Sequence, residues 1–199
     1  MKVAGIILCG GQSKRMGRSK ASLPFGTETM LSRVVRILSS AVEAIVVVAA
    51  ADQEIPNLPT SVRIIRDERP GRGPLQGLAT GLSALAGSAD LAYVSSCDVP
   101  FLKPEFICRI IELLGDAEAC VPELEGRRHS LAGIYRVSVL PKVKEMLEEG
   151  ELRFSSLLDR VRTRLVDAAS LTEVDPELRS LRNLNTPGEY EAALREFQL

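Results

Sequence analysis

The sequence predicts a three-layer α/β/α fold: a mostly parallel sheet, helices on both faces, and an antiparallel element at one edge. Three observations carry this expectation. Apolar runs of strand length alternate with helical patterns through the first half of the chain. Those runs are continuous, as strands covered on both faces require. The second half then offers two strand-like segments around a polar turn, the pattern of an antiparallel pair.

In chain order, residues 3–9 form an unbroken apolar run stopped by Gly10-Gly11, which reads as a buried strand. Residues 29–39 place Met30, Leu31, Val34, Val35 and Leu38 at helical spacing. Residues 44–50 are valine-rich and residues 62–66 are shorter; both read as strands. Residues 74–86 suggest a helix of small residues entered from a Gly-Arg-Gly-Pro turn, and residues 91–96 a strand stopped by Asp98 and Pro100. Pro104 opens an amphipathic helix over 105–114, at the position where proline is best tolerated.

Beyond it, 117–122 and 130–136 are the expected antiparallel strands around Glu125-Gly126-Arg127-Arg128. Residues 139–149 and 154–161 read as helices and 164–167 as a short strand. Thr186-Pro187-Gly188-Glu189 has the cap, proline and glutamate spacing of a helix start. No repeat or linker divides the chain, so one domain over 1–199 is expected, in two halves, 1–103 and 104–199.

Composition narrows the function classes. Hydrophobic residues make up 45 % and charged residues 26 %, and the formal net charge is −1. A general nucleic-acid binder needs a basic excess, so that class is disfavoured. Cys9, Cys97, Cys108 and Cys120 form no CxxC pair, and one histidine is present, which argues against a zinc site. Reduced thiols in a cytoplasmic protein are expected. No run approaches the ~20 apolar residues of a membrane span, and the first apolar stretch is too short for a signal peptide.

The strongest motif is the glycine-rich segment that follows the first strand, carrying Gly10, Gly11, Gly17, Lys14, Arg15 and Lys20. Glycines let backbone N–H groups approach phosphate oxygens, and the strand's carboxyl end is where open α/β sheets bind ligands. The segment is neither a P-loop nor GxGxxG. Spacing alone leaves two readings, a phosphate cradle or a solvated basic loop. Asp98, just past the 91–96 strand, is likewise either a ligand for Mg²⁺, which takes only one or two protein carboxylates, or a turn cap.

The run Leu8-Cys9-Gly10-Gly11-Gln12-Ser13-Lys14-Arg15-Met16-Gly17-Arg18-Ser19-Lys20 resembles the signature of the molybdenum cofactor guanylyltransferase family, Leu-Ala-Gly-Gly-x-Ser-x-Arg-Met-Gly-x-x-Lys, with Cys9 in place of alanine. Cys97-Asp98-Val99-Pro100 is similar to the family's Cys-Asp-x-Pro. The resemblance implies a Rossmann-like fold of the nucleotide-diphospho-sugar transferase type. It implies transfer of GMP from GTP to molybdopterin, with pyrophosphate released and Mg²⁺ as cofactor.

Carried over by position, it assigns Leu8, Cys9 and Gly10 to the guanine end of the nucleotide. It assigns Gly11, Ser13, Arg15, Gly17 and Lys20 to the rest. Asp98 becomes the Mg²⁺ ligand and, with Lys20, a catalytic residue. Asp67 and Gly73, the latter in Gly73-Pro74-Leu75-Gln76-Gly77, become nucleotide contacts. Asn183 and Asn185, before Thr186-Pro187, match a family run that approaches the pterin substrate, and Arg153 is a further acceptor candidate. Arg127, Arg128 and His129 are read either as a basic rim for an anionic acceptor or as a solvated turn. The family's role implies transient contact with molybdenum-insertion proteins, and neither nucleic acid nor membrane.

One departure stands out. Where the family often has an asparagine after the second strand, this chain has Ala49, Ala50 and Ala51. Three readings therefore remain at this point: a guanylyltransferase; a nucleotidyltransferase using CTP or another phosphorylated acceptor such as a sugar 1-phosphate; and a non-catalytic nucleotide-binding accessory protein.

Overall fold

The first strand, β1 (Val3–Leu8), runs through the interior of the sheet, with every residue from Ala4 onward buried. The structure is a computed structural model that describes residues 1–10, 19–67, 69 and 71–197. A short hairpin follows, β2 (Pro24–Phe25) and β3 (Glu28–Thr29), then α1 (Met30–Ser39), β4 (Ala44–Ala50) and β5 (Val62–Asp67). Helix α2 (Gly73–Leu85) crosses back to β6 (Leu91–Ser96). The second half comprises α3 (Pro104–Glu112), β7 (Ala119–Leu124), β8 (Arg127–Arg128), β9 (Ala132–Arg136), α4 (Leu140–Glu148), α5 (Phe154–Leu158), β10 (Thr163–Asp167) and α6 (Pro187–Phe197).

The strand order is β10-β7-β9-β6-β1-β4-β5, with β8 paired to β7 alone. β5, β4, β1 and β6 are mutually parallel. β9 is antiparallel to both β6 and β7, and β10 is parallel to β7. The expected antiparallel pair therefore forms, but its reversed strand lies inside the sheet and β10 takes the edge. Burial explains the difference. Ala132, Gly133, Ile134 and Tyr135 are all buried, so β9 needs cover on both sides, whereas only Val166 of β10 is buried. Gly133 is required there, since a Cβ would lie 2.5 Å from Val121 Cγ1 and 2.8 Å from the Cys120 carbonyl oxygen.

Helices cover both faces. α1 and α3 pack over Ile7, Val47 and Tyr93 on one side. α2, α4 and α5 pack over Ile6, Val46 and Val94 on the other. α1 presents the apolar stripe that its spacing predicts, and Thr29 caps it by accepting a hydrogen bond from Ser32 N. α2 approaches β1 through its glycines: a Cβ on Gly81 would lie 2.8 Å from Ile6 side-chain atoms. A third, smaller core of Phe25, Met30, Leu184 and Ala193 joins the β2–β3 hairpin to α6.

Chain direction fixes where a ligand can sit. From β1 the chain builds β4 and β5 on one side, then crosses to β6 on the other. The carboxyl ends of β1 and β6 thus flank the topological switch point, where such sheets open a crevice.

Candidate active site

Leu8, Cys9 and Gly10 leave the end of β1, while Ser96, Cys97 and Asp98 leave the end of β6. Register pairs Leu8 with Ser96. The two strand ends therefore lie side by side, and a cavity of about 770 Å³ opens over them. Its lining includes Lys20, Asp98, Asn183 and Asn185, drawn from three separate stretches of chain.

Asp98 is the centre of the polar contacts and is 7 % exposed. Lys20 Nζ donates to Asp98 Oδ2 at 2.6 Å and to Asn185 Oδ1 at 3.0 Å. Ser96 Oγ donates to Asp98 Oδ1 at 2.6 Å, and Asn183 Nδ2 donates to the same oxygen at 2.7 Å. Four groups, brought together from positions up to 165 residues apart, thus fix one carboxylate and one ammonium. Such charge-assisted contacts are the strong class of hydrogen bond.

Residues 183–185 run beside Asp98, which brings Asn183 to its carboxylate and Asn185 to the Lys20 ammonium. Leu184 N donates to the Asp98 carbonyl at 3.0 Å, and the Leu184 side chain is buried in the small core under α6. Alternation then turns Asn183 and Asn185 into the cleft. The preceding coil is tethered by fully buried Asp175, which accepts from Ser180 N at 2.7 Å and pairs with Lys103 Nζ at 3.0 Å. α6 begins with a reciprocal cap: Glu189 N donates to Thr186 Oγ1, and Thr186 N and Asn185 N donate to the Glu189 carboxylate.

The far wall is the β7–β9 turn, with Arg127, Arg128 and His129 in the lining. Arg128 pairs with Asp159 at 2.5 Å. Burial, and then the Arg127 charge, push the His129 pKa below its usual value, so its ring is uncharged near neutrality. Cys9 and Cys97 line the floor as free thiols. The hydrogen bond from Cys97, then burial, raises the Cys9 pKa well above the ordinary range, which makes it an inert lining group.

Comparison with known proteins follows the same outline. Residues 5–165 match the family described as MobA-like NTP transferase domain. The chain belongs to this family. A protein of Mycobacterium avium named "Probable molybdenum cofactor guanylyltransferase" is 39 % identical over 197 residues, covering 96 % of this chain and 95 % of that one. A Mycobacterium tuberculosis protein of the same name is 39 % identical over 181 residues, covering 87 % and 89 %. Among solved structures, the Archaeoglobus fulgidus molybdopterin-guanine dinucleotide biosynthesis protein A superposes with a TM-score of 0.80 at 22 % identity, covering 100 % of this chain and 99 % of that one. The fold is shared more widely: a 2-C-methyl-D-erythritol 4-phosphate cytidylyltransferase from Thermus thermophilus gives 0.73 at 17 % identity, with both chains covered completely.

Within this family member, the expected residues separate into three groups. Leu8, Cys9, Gly10, Lys20, Asp98, Asn183 and Asn185 share one cavity. Gly11, Ser13, Arg15 and Gly17 lie outside the described residues. Asp67 lines a different cavity, about 620 Å³, between β5, α2 and α4, and its Oδ1 accepts from Arg69 N at 3.0 Å. Gly73 adopts a φ of 70°, which places Pro74 against the main cavity. Arg153 stands away from both cavities, its side chain 80 % exposed and paired with Glu151, whose pKa it draws down to about 2.

Sequence reasoning missed Ser96 and Gln53. Ser96 is a hydroxyl closing an otherwise largely apolar buried strand, and that contrast was its signal. Gln53 lies just past the alanines that replace the family's asparagine. Its Oε1 accepts from Ala50 N and its Nε2 donates to Ser19 Oγ, linking the end of β4 to the segment that carries Lys20.

Proposed function

We propose that this chain is a molybdenum cofactor guanylyltransferase, transferring GMP from GTP to molybdopterin. An oxygen of molybdopterin's terminal phosphate bonds to the α-phosphorus of GTP. The bond from that phosphorus to the β-phosphate bridging oxygen breaks, and the products are molybdopterin guanine dinucleotide and pyrophosphate. The observation that carries this reading is the Lys20–Asp98 contact at 2.6 Å in the crevice between β1 and β6. Family membership narrows the reaction, and the relatives' names supply the substrates.

Phosphoryl-type transfer needs positioning and charge neutralisation more than it needs a protein base. In this reading Lys20 follows the charge that accumulates on the phosphates, and Asn185 and Asp98 keep its ammonium aimed into the cleft. Ser96 and Asn183 hold the Asp98 carboxylate in one rotamer. Leu8 to Gly10 present main chain to the base.

Mg²⁺ fits this donor set. Among the described residues no cluster of three or more His, Cys, Asp or Glu forms a protein cage. A single fixed carboxylate opening into a large cleft suits an ion that takes most of its ligands from phosphate and water. Asp98 would hold it, and the ion would neutralise phosphate charge. Among the described residues no helix is long and apolar enough to cross a membrane. A cytoplasmic site of action, with transient contact to molybdenum-insertion proteins, completes the proposal.

The test is pyrophosphate release by the purified chain with Mg²⁺, molybdopterin and GTP, with CTP or a sugar 1-phosphate substituted in parallel. Release with GTP and molybdopterin supports the reading. Release only with CTP or only with the sugar phosphate would replace it, and GTP binding without release would favour an accessory protein.

A further inference from the structure

We infer that the β7–β9 turn is the acceptor's anion site, where Arg127 and His129 receive the acceptor's terminal phosphate; this rests on the reaction proposed above.

Sheet order supplies the first argument. β6 lies between β1 on one side and β9 on the other. β9 is antiparallel and starts with Ala132 opposite Ser95, so the turn before it rises at the same end of the sheet as Asp98 and the β1 loop. Asp98 thus stands between Gly10, past the end of β1, and the β7–β9 turn, one strand spacing of about 4.8 Å from each strand end. In-line displacement places attacking and leaving oxygens on opposite sides of the reacting phosphorus. With the leaving pyrophosphate on the β1 side, where Gly10 lines the cleft, the attacking phosphate arrives from the wall that carries residues 127–129.

Charge supplies the second. Lys20 is paired with Asp98 and Arg128 with Asp159. Among the described residues, Arg127 has no carboxylate within 4.0 Å and is the cleft-lining cation left without one. A guanidinium is suited to phosphate because its fork donates two parallel hydrogen bonds. His129 adds an N–H donor to the same wall without further charge.

Rigidity supplies the third. Leu124 pairs with Arg127 across a two-residue loop, and both loop residues, Glu125 and Gly126, have positive φ, the tight type I′ arrangement. His129 N donates to the Pro122 carbonyl at 2.8 Å, Ala132 N to the His129 carbonyl at 3.0 Å, and buried Tyr135 donates its hydroxyl hydrogen bond to the Ser130 carbonyl at 2.8 Å. A turn fixed at this many points presents its side chains in one place, as a phosphate subsite needs.

The experiment measures KM for molybdopterin and, by calorimetry, the affinity for GTP with Mg²⁺, in the wild-type chain and in Arg127→Ala, His129→Ala and His129→Gln. Arg127→Ala is expected to raise the molybdopterin KM about ten- to a hundredfold, the scale for losing a charge-assisted contact, with GTP affinity within about twofold of wild type. His129→Ala raises the same KM, and His129→Gln recovers most of it by restoring an N–H donor. An unchanged molybdopterin KM in Arg127→Ala, or an equal loss of GTP affinity, overturns the inference while the reaction stands. A wild type that releases no pyrophosphate from GTP and molybdopterin overturns the reaction itself, and this inference with it.

Discussion

The cleft takes its polar groups from two kinds of chain. Leu8–Gly10 and Ser96–Asp98 end strands that are held by main-chain ladders on both sides and by two apolar layers. Residues 172–186 contain no strand and no α-helix, only a 3-10 turn at Arg179–Leu181. They are held by side chains: Asp175 to Lys103, Arg179 and Arg182 to Glu196, Leu184 in a small core. A strand end tolerates the loss of one polar side chain, because the ladder still positions the backbone. The coil does not. Substitutions at strand ends are therefore expected to change chemistry alone, while those in or beneath the coil change stability and site together.

Lys103→Met tests the coil most severely. It removes the cation beside a carboxylate that has no solvent exposure, and stranding a buried charge costs about 3–5 kcal/mol. The loss depends on pH with a definite sign. Burial pushes the Asp175 carboxyl up, but the Ser180 amide and the Lys103 ammonium outweigh it, so it titrates below its ordinary value. A depressed carboxylate stabilises the fold above its unfolded pKa, and the contribution fades as pH falls through the folded pKa. Urea unfolding should show the widest gap between wild type and Lys103→Met above about pH 5, closing in more acidic solution. A constant gap across that range would mean that Asp175 does not tether the coil.

On the strand-end side of the cleft, Lys20→Ala, which removes the ammonium bound to Asp98 just past the end of β6, should lower kcat by about 10²–10³, the scale for losing one preorganised donor, with the unfolding midpoint within about 2 °C of wild type. Activity and stability falling together would show that the Lys20–Asp98 contact holds the cleft closed, and the contrast between the two kinds of chain would weaken.

The same contrast decides what could be read from the sequence. The strand bounds 44–50 and 91–96 coincide with β4 and β6, because continuous burial writes itself as a continuous apolar run. Lys20 and Asp98 were singled out by the resemblance of the sequence runs that carry them, since position after a strand left each with two readings. Burial patterns name no partners, however. Nothing local in Asp175 points to Lys103, 72 positions earlier, and nothing distinguishes Arg127 from Arg128 until Asp159 meets one of them. Arg153 has a local partner instead, Glu151 two residues away, and its side chain lies outside the cleft lining. The interior placement of β9 was hidden because a short apolar strand reads alike at an edge and inside a sheet.

Asn183→Ala sharpens the comparison at the point where coil meets strand end. Its amide donates to Asp98 Oδ1 and to Ser96 Oγ, at 2.7 and 2.9 Å. Removing a group that orients a metal-binding carboxylate typically costs about 10–100-fold in activity or metal affinity. The expected signature is a higher Mg²⁺ concentration for half-maximal rate with GTP affinity for the apo-enzyme little changed. Loss of GTP affinity in the absence of Mg²⁺ would instead make Asn183 a direct nucleotide contact.

Thr186→Ala asks how finely the coil is tuned. The hydroxyl accepts from Glu189 N at 3.2 Å, and its loss should cost about 1 kcal/mol, or about 2–4 °C in the midpoint. Glu189 still accepts from Asn185 N at 2.6 Å, so the residue that steadies Lys20 keeps its main-chain anchor. Rate should therefore fall by less than about twofold, the difference worth about 0.4 kcal/mol. A larger fall would mean that the side-chain half of the cap, and not only the Glu189 half, sets the position of Asn185, which would extend the cleft's supporting contacts into the first turn of α6.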